Sequence, residues 1–405
     1  MTRKVNPGGM GALAGLAALN FFLADIQGGL GPFLATWLAQ AAHWDPARVG
    51  LVMTISGVAG LACNTPAGAL LDRSDRPRFW VAASAVATLL GTLALLSARG
   101  FIAVLAAQIA AAAAGAIMVP ALVALTLAMV GKRHFAAQQS RNQAWNHAGN
   151  VAAAATVAAA TFVLGAGSAF WVMGGMAAAS GASLLLIPAS AIDPARASGH
   201  RRGAANKPAL AVFADRRLLA LGFALLLFHL GNAAMLPLLG ERMAAVGHGN
   251  PTRWLAACVI VAQAVMVPVA LLAGRAANAV HPAWLFLASC LVLPVRGVLA
   301  ALAQDPAWLV PIQILDACGA GIQGVVIPVL VANYTWGSGR TQTALGAIGT
   351  LQGIGAALST TLGGVLATSI GWGAAFCGLT VPAVFAVALA VRLVAARPAG
   401  VAAAE

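Results

Sequence analysis

Long apolar runs separated by short polar gaps set the pattern of this chain. Twelve runs can be drawn, at 13–38, 48–71, 79–98, 103–130, 140–164, 167–190, 216–239, 252–273, 283–303, 307–335, 341–368 and 373–395. A helix needs about 20 apolar residues to cross a bilayer, and these runs reach that length without the apolar/polar alternation of a barrel strand. The pattern predicts twelve membrane-spanning helices. One long gap, 191–215, is basic and rich in Gly, Pro and Ala, and it divides the runs into two sets of six. The expected organisation is an N-terminal six-helix bundle over 1–190, a cytoplasmic basic linker over 191–215 and a C-terminal six-helix bundle over 216–405.

The two sets repeat one another. Gln27 precedes Pro32 in the first run as Asn232 precedes Pro237 in the seventh, both pairs five residues apart. Pro120, Gly131 and Lys132 in and after the fourth run match Pro328, Gly339 and Arg340 in and after the tenth. Asp72-Arg73 after Pro66 matches Gly274-Arg275 after Pro268. Asn146 and Gly149 in the fifth run match Gln352 and Gly355 in the eleventh. Duplicated halves are a common construction of secondary transporters.

Composition agrees. Hydrophobic residues make up 61% of the 405 and charged residues 8%, against about 25% charged in soluble chains. The net charge of +13 would suit a nucleic-acid partner, but the bases sit in the gaps between runs. With both termini placed in the cytoplasm, eighteen of the 23 Lys and Arg fall on the cytoplasmic side and four outside. That is the positive-inside asymmetry, and it makes lipid the partner, with no nucleic acid. Arg3 and Lys4 precede a first run too long for a secretory signal, which is read as a retained span. The Ala-rich, Arg-over-Lys composition suits a bacterium, hence a bacterial cytoplasmic membrane. Trp37, Trp44, Trp80, Trp254, Trp284, Trp308 and Trp372 lie at run ends, as interface anchors do. Cys63, Cys258, Cys290, Cys318 and Cys377 lie inside runs without metal or redox spacing, so no disulfide, metal or cofactor is expected.

The gap after the second run reads GALLDRSDRPR, residues 68–78. It resembles the loop signature of the major facilitator superfamily, Gly-x-x-x-Asp-Arg/Lys-x-Gly-Arg/Lys-Arg/Lys. Gly68, Asp72, Arg73 and Arg76 fit; Asp75 stands where the family usually has Gly, and Pro77 where it often has a base. The resemblance implies an all-α, twelve-helix fold of two six-helix bundles, related by pseudo-two-fold symmetry, that rock around a central cavity. Spans one, four, seven and ten would line the cavity, and two, five, eight and eleven would flank it. The Gly68–Arg76 loop would act as an inner gate latch across the cytoplasmic interface. Asp72 ends a helix, where a carboxylate alone is unfavourable, so a nearby base is expected to compensate it. Two family features are absent: the Arg that many proton antiporters carry in span four, and the Gly-Pro signature of drug exporters in span five.

Charged groups at bilayer depth are costly and usually functional. Asp25 in span one is the candidate proton carrier, and His229 in span seven its partner or a separate proton or substrate contact. Arg296 in span nine, a lipid-facing span by the resemblance, and Asp316 in span ten lie at similar depth and are expected to form a buried, structural ion pair. Asp316, on a lining helix, is also a cavity candidate that the cycle could release. Gln27, Gln108, Asn232, Gln313 and Gln323 fall on lining helices and Asn146, His147, Asn150 and Gln352 on flanking ones, as cavity contacts and inter-lobe hydrogen bonds. Gly28, Gly29 and Gly31 allow close helix approach, and Pro32, Pro120, Pro237 and Pro328 are expected kinks.

The function expected is secondary active transport of a small organic molecule, by proton-coupled efflux, with proton-coupled uptake by symport as the alternative. The substrate would be neutral, weakly basic or zwitterionic, and the protein a monomer. A non-transporting sensor or scaffold would be expected to carry an added soluble domain, whereas about ten residues follow the last run. No cluster of His or carboxylates and no phosphate loop supports an enzyme.

Overall fold

The computed structural model describes residues 7–28, 38, 44–98, 100–165, 168–199, 208–245, 247 and 251–396, of which 7–9, 25–28, 46–47, 96–97, 169, 210, 244, 251–253 and 255–256 are described by backbone alone. Asp25 and Gln27 are therefore placed on a helix, while their side chains lie outside the description. Gly29, Gly31, Pro32 and Trp37 lie outside the described residues, as do Arg3, Lys4, Arg99, Arg201, Arg202, Lys207 and Arg397.

All regular structure among the described residues is helical. The long helices are Pro7–Gly28, Pro46–Asp72, Pro77–Ser97, Phe101–Leu164, Ser168–Leu185, Arg216–Asn232, Met235–Ala245, Pro251–Ala279, Pro282–Leu302, Leu309–Thr335, Thr341–Ile370 and Trp372–Ala395. Among the described residues nine helical segments are long and apolar enough to cross a membrane, and one of these, Phe101–Leu164, is long enough for two crossings. Their outward faces stay apolar: Phe162, Trp171 and Ile102 are exposed, a surface that lipid solvates and water does not.

Helix starts follow local chemistry. Asp45, Asp193, Asp215 and Asp305 each accept a backbone N–H from the first turn of the helix that follows, and His281 Nδ1 does the same for Ala283. After Asp45, Asp193, His281 and Asp305 the first helical residue is Pro, whose missing N–H is no loss there. Burial pushes the Asp215 carboxyl up, but bonds from the Arg217 backbone and guanidinium outweigh it and hold the carboxyl below its ordinary value. Four of the ten carboxylates are thus spent on capping, while Asp316 lies inside Leu309–Thr335 and Asp25 in the last turn of Pro7–Gly28.

Two junctions differ from the expectation. The gap expected at 131–139 is helical: Gly131, at φ 68°, ψ 175°, turns the chain, and helix resumes at once. Lys132, Arg133 and His134 are exposed and Phe135 is buried, so the basic cluster is a solvated first turn anchored by an aromatic. Span seven is two helices, parted at Ala233–Ala234. Pro237 cannot donate to the carbonyl four residues back, which is that of Ala233. At the same break the Ala234 N–H finds its acceptor on another helix, donating to Ser359 Oγ at 2.9 Å. Pro120 and Pro328, also expected to kink, sit inside helices that continue through them.

The chain forms two compact units, Met1–Ala209 with Thr335–Thr350, and Leu210–Tyr334 with Leu351–Glu405. The helix Thr341–Ile370 begins in the first and ends in the second. Each unit contains the same close crossing. In the first, a Cβ on Gly149 would stand 2.1 Å from the Phe21 carbonyl oxygen; in the second, a Cβ on Gly355 would stand 2.1 Å from that of Leu226. Span five thus crosses span one, and span eleven crosses span seven, at backbone distance and at matching glycines of the repeat.

Candidate functional site

The second unit gathers the polar side chains of four spans. Arg296, 1% exposed on Pro282–Leu302, pairs with Asp316 of Leu309–Thr335, Nη1 to Oδ1 2.9 Å; the Asp316 side chain is 16% exposed. The same Nη1 donates to the Asn232 Oδ1, at the end of the first span-seven helix. One nitrogen therefore serves both acceptors. Nε and Nη2 of Arg296 have no hydrogen-bond partner among the described residues. A buried unpaired donor on a charged group is costly, so the arrangement leaves a guanidinium edge ready for an acceptor.

One turn before Asn232, His229 makes two ring contacts: Nδ1 to the Leu225 carbonyl at 3.0 Å and Nε2 to the Gln352 Nε2 at 2.8 Å. A carbonyl only accepts, so Nδ1 carries the proton; an amide nitrogen only donates, so Nε2 is the acceptor. The contacts thus fit a neutral imidazole. A second proton on Nε2 would require the Gln352 amide to turn its oxygen inward. Gln313, one turn before Asp316, is fully buried, with neither its oxygen nor its nitrogen hydrogen-bonded among the described residues. Gln323 donates to Ser289 Oγ at 3.3 Å.

In the first unit Gln108 is half-buried on Phe101–Leu164. Asn146 donates to the Asn20 carbonyl at 3.5 Å and accepts from Asn150 at 3.4 Å; His147 is buried. Asn146 and Gln352, expected to bond between lobes, make these bonds inside their own units. Gln138, Asn142 and Thr126 form a buried chain that ends on the Leu122 carbonyl.

The Gly68–Arg76 loop closes on a helix end rather than on a base. Asp72 accepts from the Gln342 N–H at 2.9 Å, the Thr343 N–H at 2.7 Å and the Thr343 hydroxyl at 2.6 Å, and Arg340 lies within electrostatic reach. The expected compensation by a base is thus supplied chiefly by the unpaired N–H groups and positive dipole end of Thr341–Ile370, all within the first unit. Gly68 makes room, since a Cβ there would stand 2.1 Å from the Gln342 carbonyl oxygen. Arg73 caps the preceding helix through its N–H, and Arg76 opens the next; both side chains are exposed. The Pro77 departure is a helix-starting proline.

Sequence reasoning missed the receiving residues Gln342 and Thr343; the Thr-Gln-Thr opening of span eleven, rich in capping side chains, was the available signal. It also missed Cys258, buried within electrostatic reach of both Arg296 and Asp316. No group of metal-binding side chains occurs among the described residues.

A polytopic helical membrane protein with duplicated halves and buried ionisable groups defines a transporter class. The family model described as Major Facilitator Superfamily matches residues 13–358. Two relatives from Mycobacterium tuberculosis, the uncharacterized MFS-type transporters MT2531 (strain CDC 1551 / Oshkosh) and Rv2456c (strain ATCC 25618 / H37Rv), are each 40% identical over 369 residues, covering 90% of this chain and 88% of theirs. The crystal structure of the MFS transporter FucP, in the outward conformation, is similar at TM-score 0.69 and 15% identity, over 94% of this chain and 98% of that one. The human organic anion transporter MFSD10 (TETRAN) is similar at TM-score 0.64 and 15% identity, over 95% and 97%. The chain belongs to the Major Facilitator Superfamily. It is a multi-pass membrane protein and a secondary transporter, not an enzyme.

Proposed function

We propose that the protein exports a small organic molecule in exchange for protons, by alternating access, from a bacterial cytoplasmic membrane with both termini in the cytoplasm. The observation that carries the reading is the pair of polar networks in the second unit, with Asp316 of one within electrostatic reach of His229 of the other. His229 and Asp316 are ionisable groups inside apolar spans: the partners of His229 suit a neutral imidazole, and Asp316 pairs with Arg296 through one carboxylate oxygen. A proton arriving at either side chain changes which bonds can form, which is what a coupling device requires. Asp25 and Gln27, on the span-one helix, are proposed as the corresponding proton and substrate contacts of the first unit. The Asp72 cap on Thr341–Ile370 is proposed as the latch that forms and breaks once per cycle. The working form is proposed as a monomer divided at 191–215.

Proton-coupled uptake by symport is the second reading, favoured by the two missing features of proton-exchanging relatives: the span-four Arg and the span-five Gly-Pro signature. Energised inside-out vesicles offered a compound panel separate the two. The export reading expects accumulation of at least one compound, lost on adding a protonophore. Accumulation indifferent to the protonophore, or seen only in whole cells, would overturn it.

A further inference from the structure

The guanidinium of Arg296 is used along one corner only. Both of its hydrogen bonds leave from Nη1, toward Asp316 and Asn232. The opposite edge, Nε with Nη2, has two parallel N–H groups, and neither has a partner among the described residues. That edge matches the two oxygens of a carboxylate. Asp316 offers the opposite chemistry a few ångströms away: its Oδ1 is committed to Arg296, and the side chain is the partly exposed member of the pair. Gln313, on the same helix face by its spacing of three, is fully buried with an unused oxygen and an unused amide.

Charge balance selects among ligands. Arg296 and Asp316 cancel. An anion bound to the free edge would leave one uncompensated negative charge in a poorly solvated site, and a cation at Asp316 one positive charge; either is expensive. A neutral compound would leave the guanidinium edge without a charged acceptor. A molecule carrying both charges on neighbouring atoms satisfies both ends and adds no net charge. We infer that this site takes a small zwitterion of the amino-acid kind, its carboxylate on the Nε–Nη2 edge of Arg296 and its ammonium on Asp316, with Gln313 as a further polar contact.

This rests on the export reading and deepens it. A proton on Asp316 removes the ammonium's partner, so proton and substrate hold the site in turn, as exchange requires. The charged and titratable groups that face Asp316 among the described residues are Arg296 from span nine, His229 from span seven and Cys258 from span eight.

The test is ligand-induced thermal stabilisation of the purified full chain in detergent. The probes are the amino acids with uncharged side chains, each also as its amide, which is a cation, and its N-acetyl derivative, which is an anion. At least one amino acid is expected to raise Tm by several degrees, with neither derivative doing so. Arg296→Lys, which keeps the charge and loses the fork, and Asp316→Asn are each expected to abolish the shift while the unliganded protein still melts cooperatively. Stabilisation by a derivative as large as by its parent, a shift retained in Arg296→Lys, or no shift with any amino acid would each overturn the inference. If the variants do not fold, the wild-type probe series decides alone. A zwitterion shift without protonophore-sensitive accumulation leaves this site standing and fells the export reading; accumulation of non-zwitterions only does the reverse.

Discussion

Single residues carry much of this molecule, and glycine shows it most plainly. Gly149 and Gly355 each stand where a methyl group would collide with a backbone carbonyl that no rotamer change can move. Overpacking of a rigid contact costs about 1–3 kcal/mol. Gly149→Ala and Gly355→Ala are therefore each expected to lower Tm by several degrees. Gly175→Ala, where nothing lies within 4 Å, is expected to leave it within a degree or so or raise it slightly by helix propensity. Equal melting of all three would contradict the close crossings. The sequence marked both glycines through the repeat, because equal spacing from Asn146 and Gln352 survived duplication. It also brought Arg296 and Asp316 to the same depth. What it left hidden was which guanidinium nitrogen does the bonding. That depends on the angle between spans nine and ten and on Asn232 reaching in from span seven, and spacing along a chain carries no such angle.

At the scale of the element, Asp72 binds a helix it does not belong to. The carboxylate takes three hydrogen bonds from Gln342 and Thr343, and loss of an ordinary N-cap costs about 0.5–2 kcal/mol. Asp72→Ala is expected to lie at the top of that range or above, because the bonds are charge-assisted and buried. Hydrogen exchange should quicken across residues 341–350 with little change near 372–395. Thr343→Val removes one of the three bonds and should show a smaller effect in the same peptide. An Asp72→Ala protein with unaltered protection there would sink the cap as a stabilising latch. The loop motif was legible in the sequence, but its acceptor was not. The carboxylate's partners are mainly backbone N–H groups, which every residue has, and so they leave no mark in composition. The break in span seven was legible as Pro237, although it falls four residues earlier, at the carbonyl the proline cannot serve. The stretch after Gly131 reads as a gap because no apolar run covers it; Lys132, Arg133 and His134 are helical all the same, next to a buried Phe135.

At the scale of the whole molecule, hydropathy, the basic gaps and the internal repeat together pointed to the Major Facilitator Superfamily, because a bilayer leaves a chain few ways to satisfy its backbone. Topology can be checked directly. In a background freed of its five cysteines, single cysteines at Arg78 and Arg275 should react with an impermeant maleimide only after permeabilisation. Those at Arg48 and Arg242 should react in intact cells. The reverse pattern would invert the proposed orientation.

The central claim is that substrate and proton exchange at the Arg296–Asp316 site. Proton release from acid-loaded inside-out vesicles during addition of a compound panel tests it most directly, with wild type, Asp25→Asn and Asp316→Asn compared at equal expression. The account predicts compound-driven proton release in wild type and none in Asp316→Asn. Undiminished release in Asp316→Asn, or release abolished in Asp25→Asn alone, would contradict it and move the coupling out of the second unit.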